Sequence, residues 1–351
     1  MIPSVKLYML SIMKGERRGF FAFIVKSVMR VFSWFYALAI GIVDWAYRSG
    51  LRRVHKIDAP VVSVGNITLG GTGKTPFTIF LARYFSETGK KPAVLIRGYG
   101  DDERKMLRDE LPDVPVFAGQ DRVRNALTAL KDKRDIIILD DGFQHRRIDR
   151  DLNIVMLDSE SLSGGELLFP RGTLREPLAS LKRSDVLVLS KIDKVDEERK
   201  KEVLRKLKDI VPDKLVVTAR HKIVYLNDVT GAVYSVEGLT GQNVCLVSGI
   251  ADPDYFAHCV GQLGAVIASR YDYVDHYDYR QKDIDRITAD VRSKKLERVI
   301  TTKKDYVKMR RLDLSRLEDK LFIMDMEMDI VEGKEDLIGR LNSVISGKSA
   351  Q

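Results

Sequence analysis

"VGNITLGGTGKTPFT", residues 64–78, decides the fold of this chain. Gly73, Lys74 and Thr75 close it in the manner of a phosphate-binding loop. Backbone N–H groups of Gly70, Gly71 and Gly73 can approach phosphate oxygens with no side chain in the way. Lys74 neutralises β and γ phosphates, and Thr75 offers a hydroxyl to Mg2+. The usual pattern has glycine where this chain has Thr68. That change removes only the outermost glycine, and Gly70 and Gly71 can still supply the turn. Thr68 and Thr72 therefore count as part of the nucleotide-binding loop. Pro76 is tolerated in the first helical turn, where an N–H has no intrahelical partner to lose.

Outward from the loop, the pattern repeats strand, loop and helix. Strands are predicted at 59–66, 91–100, 134–142, 151–158 and 184–193, with a helix over 75–87. Their apolar runs are continuous rather than alternating, as in strands buried on both faces of a parallel sheet. Residues 57–220 thus read as an α/β domain of the phosphate-loop type. A charged helix over 195–211 suits a solvent face. The alternating stretch 221–239 reads as a two-stranded connector, placed at 221–240. Four further strand candidates, "NVCLVSGI", "AVIASRYDYV", "RVITT" and "KLFIMDMEMDI", make 241–351 a second, smaller α/β domain.

The net charge of +9 is concentrated at one end. Residues 1–56 hold ten Lys/Arg and two acids, leaving 49 basic and 48 acidic residues elsewhere. A nucleic-acid-binding fold would spread a basic stripe over its folded domain, so no nucleic-acid partner is expected. The terminal segment mixes Phe, Trp34, Tyr36 and Trp45 with Lys26, Arg30, Arg48, Arg52 and Arg53. Its longest uncharged run, 31–43, makes a helix of roughly 20 Å, short of a hydrocarbon core of about 30 Å. The composition suits an amphipathic helix lying on an anionic leaflet, with a core helix bearing a solvated basic face as the competing reading. Two cysteines, Cys245 and Cys259, form no disulfide framework and have no zinc spacing.

Candidate chemistry gathers at strand ends. "DIIILDD" finishes in Asp140 and Asp141, either of which could hold the Mg2+ that bridges β and γ phosphates. "IRGYGDDE" supplies Arg97, Asp101 and Asp102, and "GQDRVRNA" supplies Arg122. "DDGFQHRR" supplies Gln144 and His145, and "LLFPRGTLREP" supplies Arg171 and Arg175. Several arginines at successive strand ends suit an acceptor carrying a phosphate of its own. His276 stands beside Asp275 in "YDYVDHYDYR", a setting that could tune a base.

With "RGYG", "LDDGFQHRRIDRDLNIVMLD", "FPRGTLREPLASLKRSD", "VSGIADPDYF", "DHYDY" and "TTKKDYVK", the chain resembles the tetraacyldisaccharide 4'-kinase family from residue 59 onward. The resemblance implies two Rossmann-like α/β/α domains with parallel-type sheets, a β connector between them and the active site in the cleft. It implies transfer of the ATP γ-phosphate, with Mg2+, to the 4' hydroxyl of tetraacyldisaccharide 1-phosphate, forming lipid IVA for lipid A. The expected setting is the cytoplasmic face of a bacterial inner membrane, with a monomer held there peripherally or monotopically. Lys74 and Thr75 match the family's loop, and Asp140 and Asp141 its metal-side carboxylates. Gln144, His145 and Arg171 match substrate-side positions, and Arg97 and Arg122 are expected on the substrate side from their strand-end placement. His276 and Asp102, with Asp101 as the other candidate, match the base pair. The rival is a GTP-dependent switch or metallochaperone, because Ser190-Lys191-Ile192-Asp193 is similar to a guanine-reading Asn-Lys-x-Asp.

Overall fold

The computed structural model describes residues 9, 11–13, 15–98, 101–160, 162 and 167–347, without the side chains of Asp101 and Asp102. In chain order the elements are α1 (Phe20–Arg48), β1 (Val61–Asn66), α2 (Lys74–Glu87), β2 (Pro92–Ile96), α3 (Asp101–Glu110), β3 (Val116–Ala118) and α4 (Arg122–Lys131). Then follow β4 (Ile136–Asp140), β5 (Leu152–Asp158), β6 (Val186–Ser190), α5 (Glu197–Ile210), β7 (Leu215–Asp228) and β8 (Val233–Tyr234). The chain ends with β9 (Asn243–Ser248), α6 (Pro253–Gly261), β10 (Val266–Asp272), α7 (Gln281–Ser293), β11 (Arg298–Thr302), α8 (Lys303–Met309), β12 (Leu321–Glu332) and α9 (Lys334–Ile345). It is an α/β fold whose sheet is mostly parallel, with β8 antiparallel to β7.

The polypeptide forms two compact units that alternate along the sequence. The first comprises Met1–Lys74, Leu139–Thr218 and Glu332–Gln351, and the second Thr75–Ile138 and Ala219–Val331. In the first unit the strand order is β7-β6-β5-β1, with the end of β4 beside β1. Parallel registers Asn66↔Met156 and Asp158↔Ser190 bring the carboxyl ends of β1, β5 and β6 to one edge. These strands are buried on both faces, which explains their unbroken Val, Ile and Leu runs. Val155, Leu157, Leu187 and Leu189 pack with Phe143, Val203 and Leu207 into one core. Gly65 lets β1 approach the turn after β4, since a Cβ there would lie 2.4 Å from Phe143 Cβ and 2.6 Å from its backbone nitrogen.

In the second unit β2 pairs with β3, and β10-β9-β11-β12-β7 run side by side. Cys245, Val247, Ile287, Val299 and Leu321 fill one of its cores, and Leu246, Phe256, Ile300 and Met324 another. Helix starts follow local chemistry. Asp121 caps α4 through Arg124 N, and Asp252 caps α6 through Tyr255 N, with Pro253 in the first turn. Two differences from the sequence reading stand out. Strand β7 begins at Leu215, ahead of the connector expected over 221–239, because Val217 and Ala219 continue its buried face. Helix α3 and the short strand β3 had no periodicity clear enough to predict them.

Candidate active site

The phosphate loop in the first unit leaves β1 at Asn66 and enters α2 at Lys74. Its left-handed turns fall at Gly70 (φ 116°) and Gly73 (φ 83°), where a side chain would be strained. Thr68 is not one of these turns. It forms an antiparallel bridge with Leu174 and is 2% exposed. On either side of it, Leu69 N donates to Thr173 O at 2.7 Å and Arg175 N to Ile67 O at 2.6 Å. The segment 168–176 therefore straps the loop, and Thr68 sits where the chain is still extended. A threonine there costs the loop no turn.

Side chains brace the rest of the loop. Asn66 Nδ2 donates to Thr72 Oγ1 at 3.1 Å, Gln144 Nε2 to Asn66 O at 2.9 Å, and Ser190 Oγ to Thr72 O at 2.9 Å. Gln144, expected on the substrate side, here braces the end of β1. Asn66 and Ser190 were not expected there, since their role depends on which strand ends become neighbours. Lys191 takes a left-handed conformation, φ 57°, and pairs with Asp158 Oδ2 at 2.5 Å.

Asp140 closes β4 and is 6% exposed. Its Oδ1 accepts from the backbone N of Asp141 at 2.9 Å. Asp141 occupies the left-handed region, φ 50°, uncommon for a residue other than glycine and frequent at functional positions. Its Oδ1 lies 3.6 Å from Lys74 Nζ and 2.9 Å from Arg175 Nη1. The loop lysine, a strand-end carboxylate and an arginine thus converge on one oxygen. Arg175 was read only as one more strand-end arginine; the bridge between Thr68 and Leu174 is what delivers it. Arg171 lies on the same strap, its guanidinium held below its usual range by burial and by the neighbouring cation Arg30. His145 is half-buried, and its carbonyl accepts from Arg150 Nη2.

Oxygen donors of this kind suit Mg2+, which takes one or two carboxylates and completes its shell with water and substrate phosphate. Among the described residues no group of three or more His, Cys, Asp or Glu gathers, so a site built only from protein ligands is not offered. Asn66 Oδ1 and Thr68 Oγ1 are buried without a hydrogen-bond partner in the protein. The carboxylates of Asp140 and Asp141 at the end of β4 fit a hydrated hard cation.

The second unit contains the other expected residues. Asp102 and Asp101 begin α3, and their side chains, like Tyr99 and Gly100 of "RGYG", lie outside the described residues. Glu110 at the other end of α3 accepts from Arg83 at 2.8 Å and pairs with Lys303, which also holds Asp325 at 2.5 Å. His276 follows β10 in the left-handed region, φ 63°, its N–H bonded to Gly249 O at 3.2 Å. Lys304, in the first turn of α8, reaches Asp275 Oδ1 at 2.9 Å and His276 Nε2 at 3.5 Å. Arg97 is exposed after β2, whereas Arg122 is 2% exposed at the start of α4.

Helix α1 has two different sides. Only Ala22, Met29 and Ser33 of it are buried, while Phe20, Phe21, Phe23, Phe32, Trp34, Phe35 and Trp45 are each at least 59% exposed. Its inner stripe is polar where it meets the strap. Tyr36 OH donates to Arg175 O at 2.9 Å, and burial, with Glu176 nearby, raises the phenol above its ordinary value. By length and composition the helix could cross a bilayer, at a mean hydropathy of 1.5, though 11% of its most apolar window is buried in the protein.

A strand–loop–helix with Lys74 at the helix start, and a carboxylate from the neighbouring strand end beside it, defines a phosphate-loop nucleotide-binding α/β protein. The profile of the tetraacyldisaccharide-1-P 4'-kinase family matches residues 25–346. The chain belongs to that family. It is 35% identical to the tetraacyldisaccharide 4'-kinase of Bdellovibrio bacteriovorus over 345 residues, covering 92% of this chain and 99% of the relative. The corresponding protein of Halothermothrix orenii is 32% identical over 379 residues, covering 97% and 98% of the two chains. Among solved structures, LpxK from Aquifex aeolicus in complex with ATP superposes with a TM-score of 0.69 at 26% identity, covering 91% of this chain and 99% of that one.

Proposed function

We propose that this chain is the ATP-dependent kinase that phosphorylates the 4' hydroxyl of tetraacyldisaccharide 1-phosphate, giving lipid IVA in lipid A biosynthesis. The observation that carries the reading is the convergence of Lys74 and Arg175 on Asp141 beside a strapped phosphate loop, in a chain that matches the family over nearly its whole length. A GTP-dependent switch is disfavoured by the use of its would-be guanine motif. Ser190 braces the loop and Lys191 is consumed by Asp158.

In this reading Gly70, Gly71, Thr72, Gly73 and Lys74 bind the ATP phosphates, with Thr68 holding the loop to its strap. Lys74 leaves Asp141 for the β and γ oxygens, where its charge is worth more as negative charge shifts in the transition state. Thr75, Asp140 and Asp141 would hold Mg2+, which supplies charge neutralisation across those phosphates when bound. Asp102, oriented by His276, accepts the proton of the 4' hydroxyl as that oxygen attacks phosphorus. Lys304 holds Asp275 and approaches His276 Nε2, which fixes one edge of the ring. Gln144, His145 and Arg97 contact the acceptor. Arg171, on the strap, is suited to its 1-phosphate, since a guanidinium pairs with an anion through two parallel bonds.

The phosphate loop and its strap belong to the first unit, and Asp102 and His276 to the second. The aromatic outer face of α1, with Lys26, Arg30, Arg48, Arg52 and Arg53, seats a monomer on the cytoplasmic leaflet of the inner membrane, where an acylated acceptor resides. Incubation with ATP, Mg2+ and the acceptor in mixed micelles should add one phosphate to the lipid, located on the 4' position by mass spectrometry. An unchanged lipid accompanied by GTP-preferring hydrolysis would replace this reading with the switch.

A further inference from the structure

Two side chains on the inner stripe of α1 reach the strap 168–176 directly, and a third, Asp44, reaches it through two arginines. Ser33 Oγ donates to Leu168 O at 2.8 Å and accepts from Arg171 N at 3.0 Å. Tyr36 OH donates to Arg175 O at 2.9 Å while its ring sets edge-on against Phe169. Asp44 pairs with Arg146 and lies 3.6 Å from Arg183, and both arginines grip Glu176, at 3.2 and 2.8 Å. Ser33 is 7% exposed and Glu176 3%, so these bonds are largely shielded from water.

The same strap holds the phosphate loop on both sides of Thr68 and carries Arg175 to Asp141. One residue, Arg175, thus touches all three parts. Its carbonyl accepts from α1, its N–H donates to Ile67 in the loop, and its guanidinium holds the carboxylate beside Lys74. An anchor needs an apolar outer face. It does not need a buried serine and a tyrosine bonded to the backbone of the segment that shapes the phosphate site.

We propose that α1 is a positioning element for the phosphate loop as well as a membrane anchor, and that Ser33 and Tyr36 are positioning residues acting through the strap 168–176. The inference rests on the kinase reading of the loop. The seating of α1 on a lipid surface then sets the geometry in which the loop receives ATP, so nucleotide is held well only by protein whose helix is properly placed.

The test uses the full chain with Ser33→Ala, Tyr36→Phe and the double substitution. Tyr36→Phe keeps the ring against Phe169 and removes only the hydroxyl. Each single change should weaken the binding of a fluorescent ATP analogue, and raise KM for ATP, by about 3- to 10-fold, the worth of one largely buried hydrogen bond. KM for the lipid acceptor and cosedimentation with vesicles of phosphatidylethanolamine and phosphatidylglycerol should stay within about twofold, because the outer face is untouched. Ser33→Thr, which keeps a hydroxyl, should restore affinity. Unchanged ATP affinity in the double variant would overturn the proposal, and so would a loss of vesicle binding that parallels the loss of affinity. Wild-type protein that binds the ATP analogue but phosphorylates no lipid would refute the kinase reading, while the affinity of the variants would still decide the role of α1.

Discussion

Asp141 in the first unit and His276 in the second occupy the same kind of position. Each follows a strand, each is a non-glycine residue in the left-handed region, at φ 50° and 63°, and each has a lysine from the first turn of a helix within 3.6 Å. Holding such a backbone costs about 1 kcal/mol or more, and a fold keeps it only where the surroundings fix it. The difference lies in those surroundings. Asp141 shares one oxygen between two cations, whereas the His276 ring is 45% exposed and meets Lys304 only through a long contact. The Asp141 carboxylate is held in place by the fold through Lys74 and Arg175. The imidazole is thus more open to solvent than the carboxylate.

The comparison can be broken most forcefully at its strongest side. Lys74→Ala should lower kcat by about 10²- to 10³-fold, measured as γ-phosphate transfer at saturating lipid. Asp141→Asn should lower kcat by roughly 10²-fold with an unchanged thermal midpoint, because asparagine tolerates the left-handed region. Asp141→Ala should match that loss of activity and also be less stable by about 1 kcal/mol in urea titration. If Asp141→Asn retained near wild-type turnover, the left-handed carboxylate would be a structural feature alone.

How much of this could be read from the sequence depended on what each residue needs from its neighbours. The strands at Val61, Ile136, Leu152 and Val186 were legible because a strand buried on both faces writes its burial as an unbroken apolar run. The loop was legible because Gly70, Gly73 and Lys74 act through their own backbone and charge. Asn66, Ser190 and the strap were not legible, since their bonds join residues up to 139 positions apart and depend on which elements become neighbours. Helix α1 showed its apolar and basic composition, but its buried Ser33 looked like any other serine. His276 was legible only because Asp275 precedes it, and Lys304 gave no signal, arriving from a helix 28 residues later.

The second unit offers gentler ways to sharpen the contrast. His276→Asn keeps the backbone and should lower kcat by about 10- to 10²-fold. Lys304→Met should cost only a few-fold, since it removes one exposed contact and one ion pair. Both cysteines of the chain lie in this unit and are buried, and burial together with nearby Asp290 pushes the Cys245 thiol up to about 12. At pH 8, well below that value, the Cys245 thiol stays protonated and should resist a disulfide reagent until the unit opens. The slow labelling rate should be unchanged in His276→Asn and faster in His276→Val, whose β-branched side chain strains the left-handed backbone.

The most direct test of the account is transfer of labelled γ-phosphate from ATP to tetraacyldisaccharide 1-phosphate in mixed micelles, with wild type, Lys74→Ala and His276→Asn run together. Labelled lipid that is abolished by Lys74→Ala and sharply reduced by His276→Asn, with ATP binding preserved in the latter, is the predicted result. Transfer that survives Lys74→Ala, or an acceptor that stays unlabelled by wild-type protein, would contradict it.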